Sequence, residues 1–191
     1  QMKYYKETEM LKNTFLKEGD YKSTKEVFER IARLAPDAQI LAELDSHRKI
    51  VYHTAKDLLE DVESFGDGLI ALGLKGKHIA LLAENSYKYF VTDVTIVGGA
   101  GVISPIDKDA KEDLLETLLK KCDAEVVICS AYLVPKIRDV AKKVEKIKTI
   151  ITIDKKVDEL ATFDEIQKLG KEECNAGKYR ALEPNLEDVA E

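Results

Sequence analysis

At 191 residues, 45% of them hydrophobic, the chain is long enough for one substantial core with appendages, and it has no apolar run long enough to span a membrane. Its charged residues, 35% of the total with a formal net charge of −6, mix both signs along the chain, which argues against broad nucleic-acid binding. Three scattered cysteines with no CxxC pair exclude a disulfide framework or structural zinc site and, with no apolar signal core at the N-terminus, fit a reducing, cytoplasmic setting.

Gln1 does not read as a native start residue, and a tag remnant, a processed end and a cut all stay open. Residues 2–17 read as a weakly amphipathic helix with Met10, Leu11 and Phe15 as contacts, broken by Gly19-Asp20. Ser23 or Thr24 caps a second helix, whose apolar side is Val27, Phe28, Ile31, Ala32 and Leu34; Pro36-Asp37 ends it. Strands over 38–44 and 49–53 flank Asp45-Ser46-His47-Arg48, the pattern of a hairpin. Thr54 opens a long helix with Asp57 three positions on, close to a capping box. Its apolar face is Leu58, Leu59, Val62, Phe65, Leu69 and Leu72. Gly66 and Gly68 each cost such a helix roughly 1 kcal/mol relative to alanine, so close packing against a neighbour is expected there. Gly73 supplies the C-cap.

Ile79 to Ala83 is a continuous apolar run, as in a strand covered on both faces. Ser86 is the N-cap of the next helix, and Tyr87, Phe90, Val91, Val94 and Val97 share one side of it. The helix over 86–98 is expected to be the most buried in the chain. Gly98-Gly99-Ala100-Gly101 ends it, Val102-Ile103 resumes a strand, and Pro105 stops that strand. A βαβ unit of this kind has parallel strands. A helix over 109–122 follows, with Leu114, Leu115, Leu118 and Leu119 inward, and then a strand over 125–129. The helix over 133–144 faces inward through Val134, Ile137, Ala141 and Val144, and a β-branched strand covers 148–153. A last helix spans 162–170 through Phe163, Ile166 and Leu169, and residues 171–191 are polar without a period. The alternation predicts an α/β fold: a parallel, flavodoxin-like sheet with helices on both faces, plus an N-terminal helix pair and a β-hairpin. The expected division is 1–53 for helices and hairpin, 54–154 for the α/β core, and 155–191 for a C-terminal helix and tail.

No residue constellation reads as catalytic or metal-ligating. Gly98 to Gly101 follow a helix, whereas a dinucleotide fingerprint needs its glycines between a strand and the helix after it. No GxxxxGK[ST] occurs. His47, His53 and His78 are isolated and read as structural or surface residues; Ser104 and Ser130 lack a GxSxG context. Asp107 and Asp109 read as solvated helix-start residues. The candidate ligand-edge residues are Asn85 and Ser86, at the carboxyl end of the first core strand and at a helix N-terminus.

Residues 83–107, AENSYKYFVTDVTIVGGAGVISPID, with the lead-in LIALGLKGK at 69–77, resemble the N-terminal region of AMP-forming acyl-CoA synthetases in order and spacing. These enzymes belong to the adenylate-forming ligase superfamily. The resemblance runs from about Phe28 to Glu191. The stretch from Thr149 to Gly170 is similar to the long-chain fatty-acid branch. Residues 183–191 resemble the run that directly precedes the family's phosphate loop. That Ser/Thr/Gly-rich loop with its lysine, the ATP-ribose aspartate and the C-terminal catalytic lysine do not appear in this sequence. The resemblance therefore implies the N-terminal subdomain of a longer ligase, truncated before the phosphate loop and catalytically inactive alone. ATP, magnesium, CoA and the fatty acid would belong to the full-length parent. Its partners would be the rest of the parent chain and, through an exposed apolar face, a second copy. The alternative is a non-catalytic flavodoxin-like binding or regulatory module. In its phosphoacceptor version it would need an acidic pair where Glu84 stands alone, and an aspartate where Ser130 stands.

Overall fold

A computed structural model describes residues 21–184; the expected helix over 2–17 and the end of the tail, 185–191, lie outside the described residues. Helix α1 (Thr24–Leu34) starts at Ser23, whose side chain accepts the Glu26 N–H. Strands β1 (Gln39–Leu44) and β2 (Ile50–Thr54) form an antiparallel hairpin. Thr54 ends β2 and caps helix α2 (Ala55–Ala71). The capping box is complete: Thr54 Oγ1 accepts the Asp57 N–H at 3.1 Å, and the Asp57 carboxylate accepts the Thr54 N–H at 3.0 Å. Those bonds hold the Asp57 carboxyl below its ordinary range.

Strand β3 (Lys77–Leu82) leads to helix α3 (Tyr87–Thr95), a π-helical turn (Ile96–Ala100) and strand β4 (Gly101–Pro105). The glycines therefore do more than stop a helix. The turn widens by a residue, and only Gly99, at φ 115°, has to be glycine on conformational grounds. Helix α4 (Glu112–Lys121), strand β5 (Val126–Cys129), helix α5 (Val134–Ala141), strands β6 (Thr149–Thr152) and β7 (Ala161–Thr162) and helix α6 (Phe163–Gly170) complete the regular elements. The five strands β3 to β7 are parallel, in the order β4-β3-β5-β6-β7. Counted from β3 that is 2-1-3-4-5, the flavodoxin-like order.

The apolar runs of β3 and β5 contain the alternation that a two-faced strand requires. Ile79, Leu81, Val126 and Ile128 join a cluster with α2, α3 and α6; Ala80, Leu82, Val127 and Cys129 join a second with α4 and α5. Helices α2 and α6 meet backbone to backbone. A Cβ at Gly68 would overlap the Ile166 carbonyl, and one at Gly170 would overlap that of Ser64. The Gly68 expectation holds for this reason.

Three expectations are corrected. Nine of the seventeen residues of α2 are buried against four of nine in α3, because α2 has the sheet on one side and α6 on another; α2, not the helix over 86–98, is the more enclosed. Leu114 and Leu34 are exposed: Leu114 lies one helical step of about 100° off the buried line through Leu115 and Leu119 in α4, and Leu34 lies two such steps from buried Ala32, on the far side of α1. In α5 the inward residue is Val140, with Ala141 only half-buried.

Candidate functional site

The sheet's carboxyl edge carries two neighbouring arrangements. The first is built by the hairpin and the N-terminus of α3. Extended backbone at Ser86 lets its Oγ accept the Tyr89 N–H at 3.1 Å. The Tyr87 N–H donates to Glu43 Oε2 of β1 at 2.9 Å, so the chain's own carboxylate meets the positive end of the helix. The other oxygen of Glu43 lies 3.2 Å from His53 Nε2, and the His53 ring stacks on Tyr87 at 3.5 Å between centroids and 4° between planes. Tyr87 Oη donates to Asp61 Oδ2 at 2.9 Å, and Gln167 Nε2 donates to Asp61 Oδ1 at 2.6 Å. Burial first, and then the Asp61 charge, push the Tyr87 phenol above its ordinary range, so it stays protonated and donating.

Between hairpin and helix lies a cleft of about 690 Å³, walled by Leu41, Leu44, His53, Tyr89 and Phe90, with Asn85 and Ser86 at its edge. Both candidate residues are exposed there, as their sequence position implies. His53 is drawn in although its sequence position marked it only as a strand end. Its ten-residue separation from Glu43 across a hairpin was the signal available. Chemically the cleft offers apolar walls and an anion site already filled by Glu43, which suits an apolar group better than a phosphate.

The second arrangement is the topological switch point, where β3 lies between β4 and β5. Ser130 Oγ accepts the Glu84 N–H at 3.1 Å, and Tyr132 Oη donates to Glu84 Oε1 at 3.0 Å. Lys108 Nζ lies 3.4 Å from the same carboxylate and 3.0 Å from Asp109 Oδ2. The Asp109 and then the Glu84 contacts raise the Lys108 ammonium above its ordinary range. Asp154 Oδ1 accepts the Ala131 N–H at 2.7 Å. These bonds tie the exits of four strands to one another. Asp107 and Asp109 are in this loop rather than at a helix start: Asp107 Oδ1 accepts the Asp109 N–H at 2.9 Å, and α4 begins only at Glu112.

Among the described residues no group of three His, Cys, Asp or Glu side chains could hold a metal ion. Nor do they include a Ser/Thr/Gly-rich loop with a lysine. ATP and magnesium therefore do not fit the described residues. No described helix is long and apolar enough to cross a membrane.

A family model described as "AMP-binding enzyme" matches residues 28–190. Comparison with curated proteins gives no match. Among solved structures, a long-chain-fatty-acid–CoA ligase from Archaeoglobus fulgidus is similar at TM-score 0.72 and 18% identity, over 88% of this chain and 34% of that one. The A domain of carboxylic acid reductase from Segniliparus rugosus, in complex with AMP and a co-purified carboxylic acid, gives 0.68 and 16%, over 92% and 33%. The N-terminal domain of FACL13 from Mycobacterium tuberculosis gives 0.66 and 20%, over 86% and 39%. The chain thus spans little more than a third of the length of these structures, and at such identities the likeness is one of fold.

Proposed function

This chain belongs to the AMP-binding enzyme family, and we propose that it is the N-terminal α/β part of an adenylate-forming ligase that makes acyl-CoA. The observation that carries the reading is the family match over residues 28–190, on a chain whose sheet and flanking helices follow the same fold as the ligases above. In the proposed reaction a carboxylate oxygen attacks the α-phosphorus of ATP and pyrophosphate leaves, giving acyl-adenylate. The CoA thiol then displaces AMP to give the thioester. Long-chain fatty acid is the proposed substrate, supported by the resemblance of residues 149–170 to that branch. Charge on the α-phosphate and on the leaving pyrophosphate has to be neutralised in such a step. The described residues supply no such constellation, so these groups, with magnesium, are proposed to come from the remainder of the parent chain.

The proposed contribution of this part is structural and apolar. Leu44, Ile50 and Tyr52 of the hairpin are each more than half exposed, beside an apolar cleft. A surface of this kind suits contact with the rest of the parent protein. ATP–pyrophosphate exchange tests the reading, measured on the 191-residue chain and on the product of its complete reading frame, with carboxylic acids of increasing length. Exchange by the complete product, greatest with long-chain acids and absent for the short chain, is expected. No exchange with any carboxylic acid would overturn the reading.

A further inference from the structure

Residues 171–184 contain neither helix nor strand, yet they cross α2 and the turn Ile96–Ala100. Tyr179 is their single fully buried side chain. Its ring occupies the space that a Cβ at Gly66 would need, and its hydroxyl the space at Gly98, so one side chain explains two glycines. Among the described residues that buried hydroxyl has no hydrogen-bond partner, an unmade bond that works against the docked state. Pro184 then rests 3.2–3.5 Å from where a Cβ of Gly99 would stand.

The fastenings around the ring are ionic. Asp67 of α2, itself buried, accepts the Gly177 N–H at 2.8 Å and the Tyr179 N–H at 2.6 Å. Lys25 of α1, also buried, donates to the Arg180 and Leu182 carbonyls at 2.7 Å each. Arg180 Nε donates to Glu63 Oε1 at 2.9 Å. A desolvated carboxylate, a desolvated ammonium and an unpartnered phenol are all groups that water would also satisfy. The segment's apolar share is small in number: among the described residues beyond Ile166, Tyr179 is the one fully buried member of the cluster under α2, α3 and α6, with Leu182 packed against it, and the cluster under α4 and α5 includes no residue of this segment.

We propose that residues 171–184 are a releasable strap. They detach as a unit while the sheet stays folded, giving the chain that leaves at Pro184 a fastened and a released direction. Local opening of this sort occurs where buried apolar contacts are few and bonds are polar, which describes this segment and not β3 or β5. The inference stands apart from the ligase reading, and its test uses no activity.

Native-state amide hydrogen exchange of the full 191-residue chain is that test. The Gly177 and Tyr179 amides are expected to exchange about 10-fold or more faster than those of β3 and β5. Asp67→Asn turns one acceptor oxygen into a donor; it should speed the strap about 10-fold further and leave β3 and β5 within about 2-fold. Tyr179→Phe removes the unpartnered hydroxyl and should slow strap exchange about 3-fold or more, which keeps the test alive if Asp67→Asn does not fold. Strap and sheet exchanging at one rate, or a Tyr179→Phe strap exchanging as fast as the wild type, overturns the proposal.

Discussion

Strands β2 and β3 each carry a run of apolar residues, Ile50 to Tyr52 and Ile79 to Leu82, and the two runs live in opposite surroundings. Ile50, Val51 and Tyr52 of β2 are 59%, 38% and 53% exposed, whereas Ile79 to Leu82 of β3 are at most 1% exposed. Intrinsic strand propensity is higher in β2, with its β-branched and aromatic residues, so propensity does not account for the burial of β3. What separates them is cover. Helices lie on both faces of β3, while β2 pairs only with β1 and is moored by Glu43, His53 and Tyr87 at one end. A two-stranded hairpin is marginal alone, and this one keeps its apolar side chains facing water. The sheet is where this chain's stability resides; the hairpin is where it has apolar surface left to offer.

A charge placed in the sheet layer should have the largest effect. Val94→Asp buries an unpaired carboxylate under α3 and is expected to cost roughly 4 kcal/mol or more, read as a collapse of the thermal transition. Wild-type-like melting would show that the α3 face was assigned wrongly. A milder pair probes the two strands directly. Leu81→Ala should cost about 2–5 kcal/mol in denaturant unfolding, whereas Tyr52→Ala should stay within about 0.5 kcal/mol in the isolated chain. If the complete protein loses clearly more than the isolated chain on Tyr52→Ala, the hairpin is a docking surface; equal losses would count against it.

The junction of the two regions is the capping box at the end of β2. Thr54→Ala removes the acceptor of the Asp57 N–H and should cost about 1 kcal/mol, measured by the same denaturant curves. The smallest effect is its pH dependence. Asp57 has its carboxyl lowered from an ordinary 3.8 in the fold, so its contribution is complete above that value and is lost as pH falls through the lower folded one. The stability gap between wild type and Asp57→Asn should therefore narrow below about pH 4 and stay constant from pH 5 to 7. A gap that widens on acidification would contradict the sign.

Much of the chain was legible from local pattern. Ser23, Thr54 and Ser86 each cap a helix whose apolar spacing follows at once, and the strand-helix alternation gave the parallel α/β sheet. The family resemblance rested on residues 83–107, which form β3's exit, α3, the π turn and β4. The placement of Asn85 and Ser86 at a strand's carboxyl end and a helix N-terminus was also legible, because both are local facts; the cleft beside them was not. Covalent spacing and 3.6- or 2-residue periods carry such information, and they reach only a few residues along the chain.

Only the tertiary structure decided the rest. Glu43 reaching the Tyr87 N–H, and Asp67 holding residues 177 and 179, join groups 44 and 110 or more positions apart. Tyr179 sits in a polar stretch with no period, and nothing adjacent to it says that two glycines, in α2 and in the π turn, leave room for its ring and hydroxyl. Likewise α2 became the most enclosed of the compared helices because α6 folds back onto it through Gly68 and Gly170. A local pattern records which face of an element is apolar. Which element arrives to cover that face is set by chain closure over a hundred residues, and the covering decides what is buried.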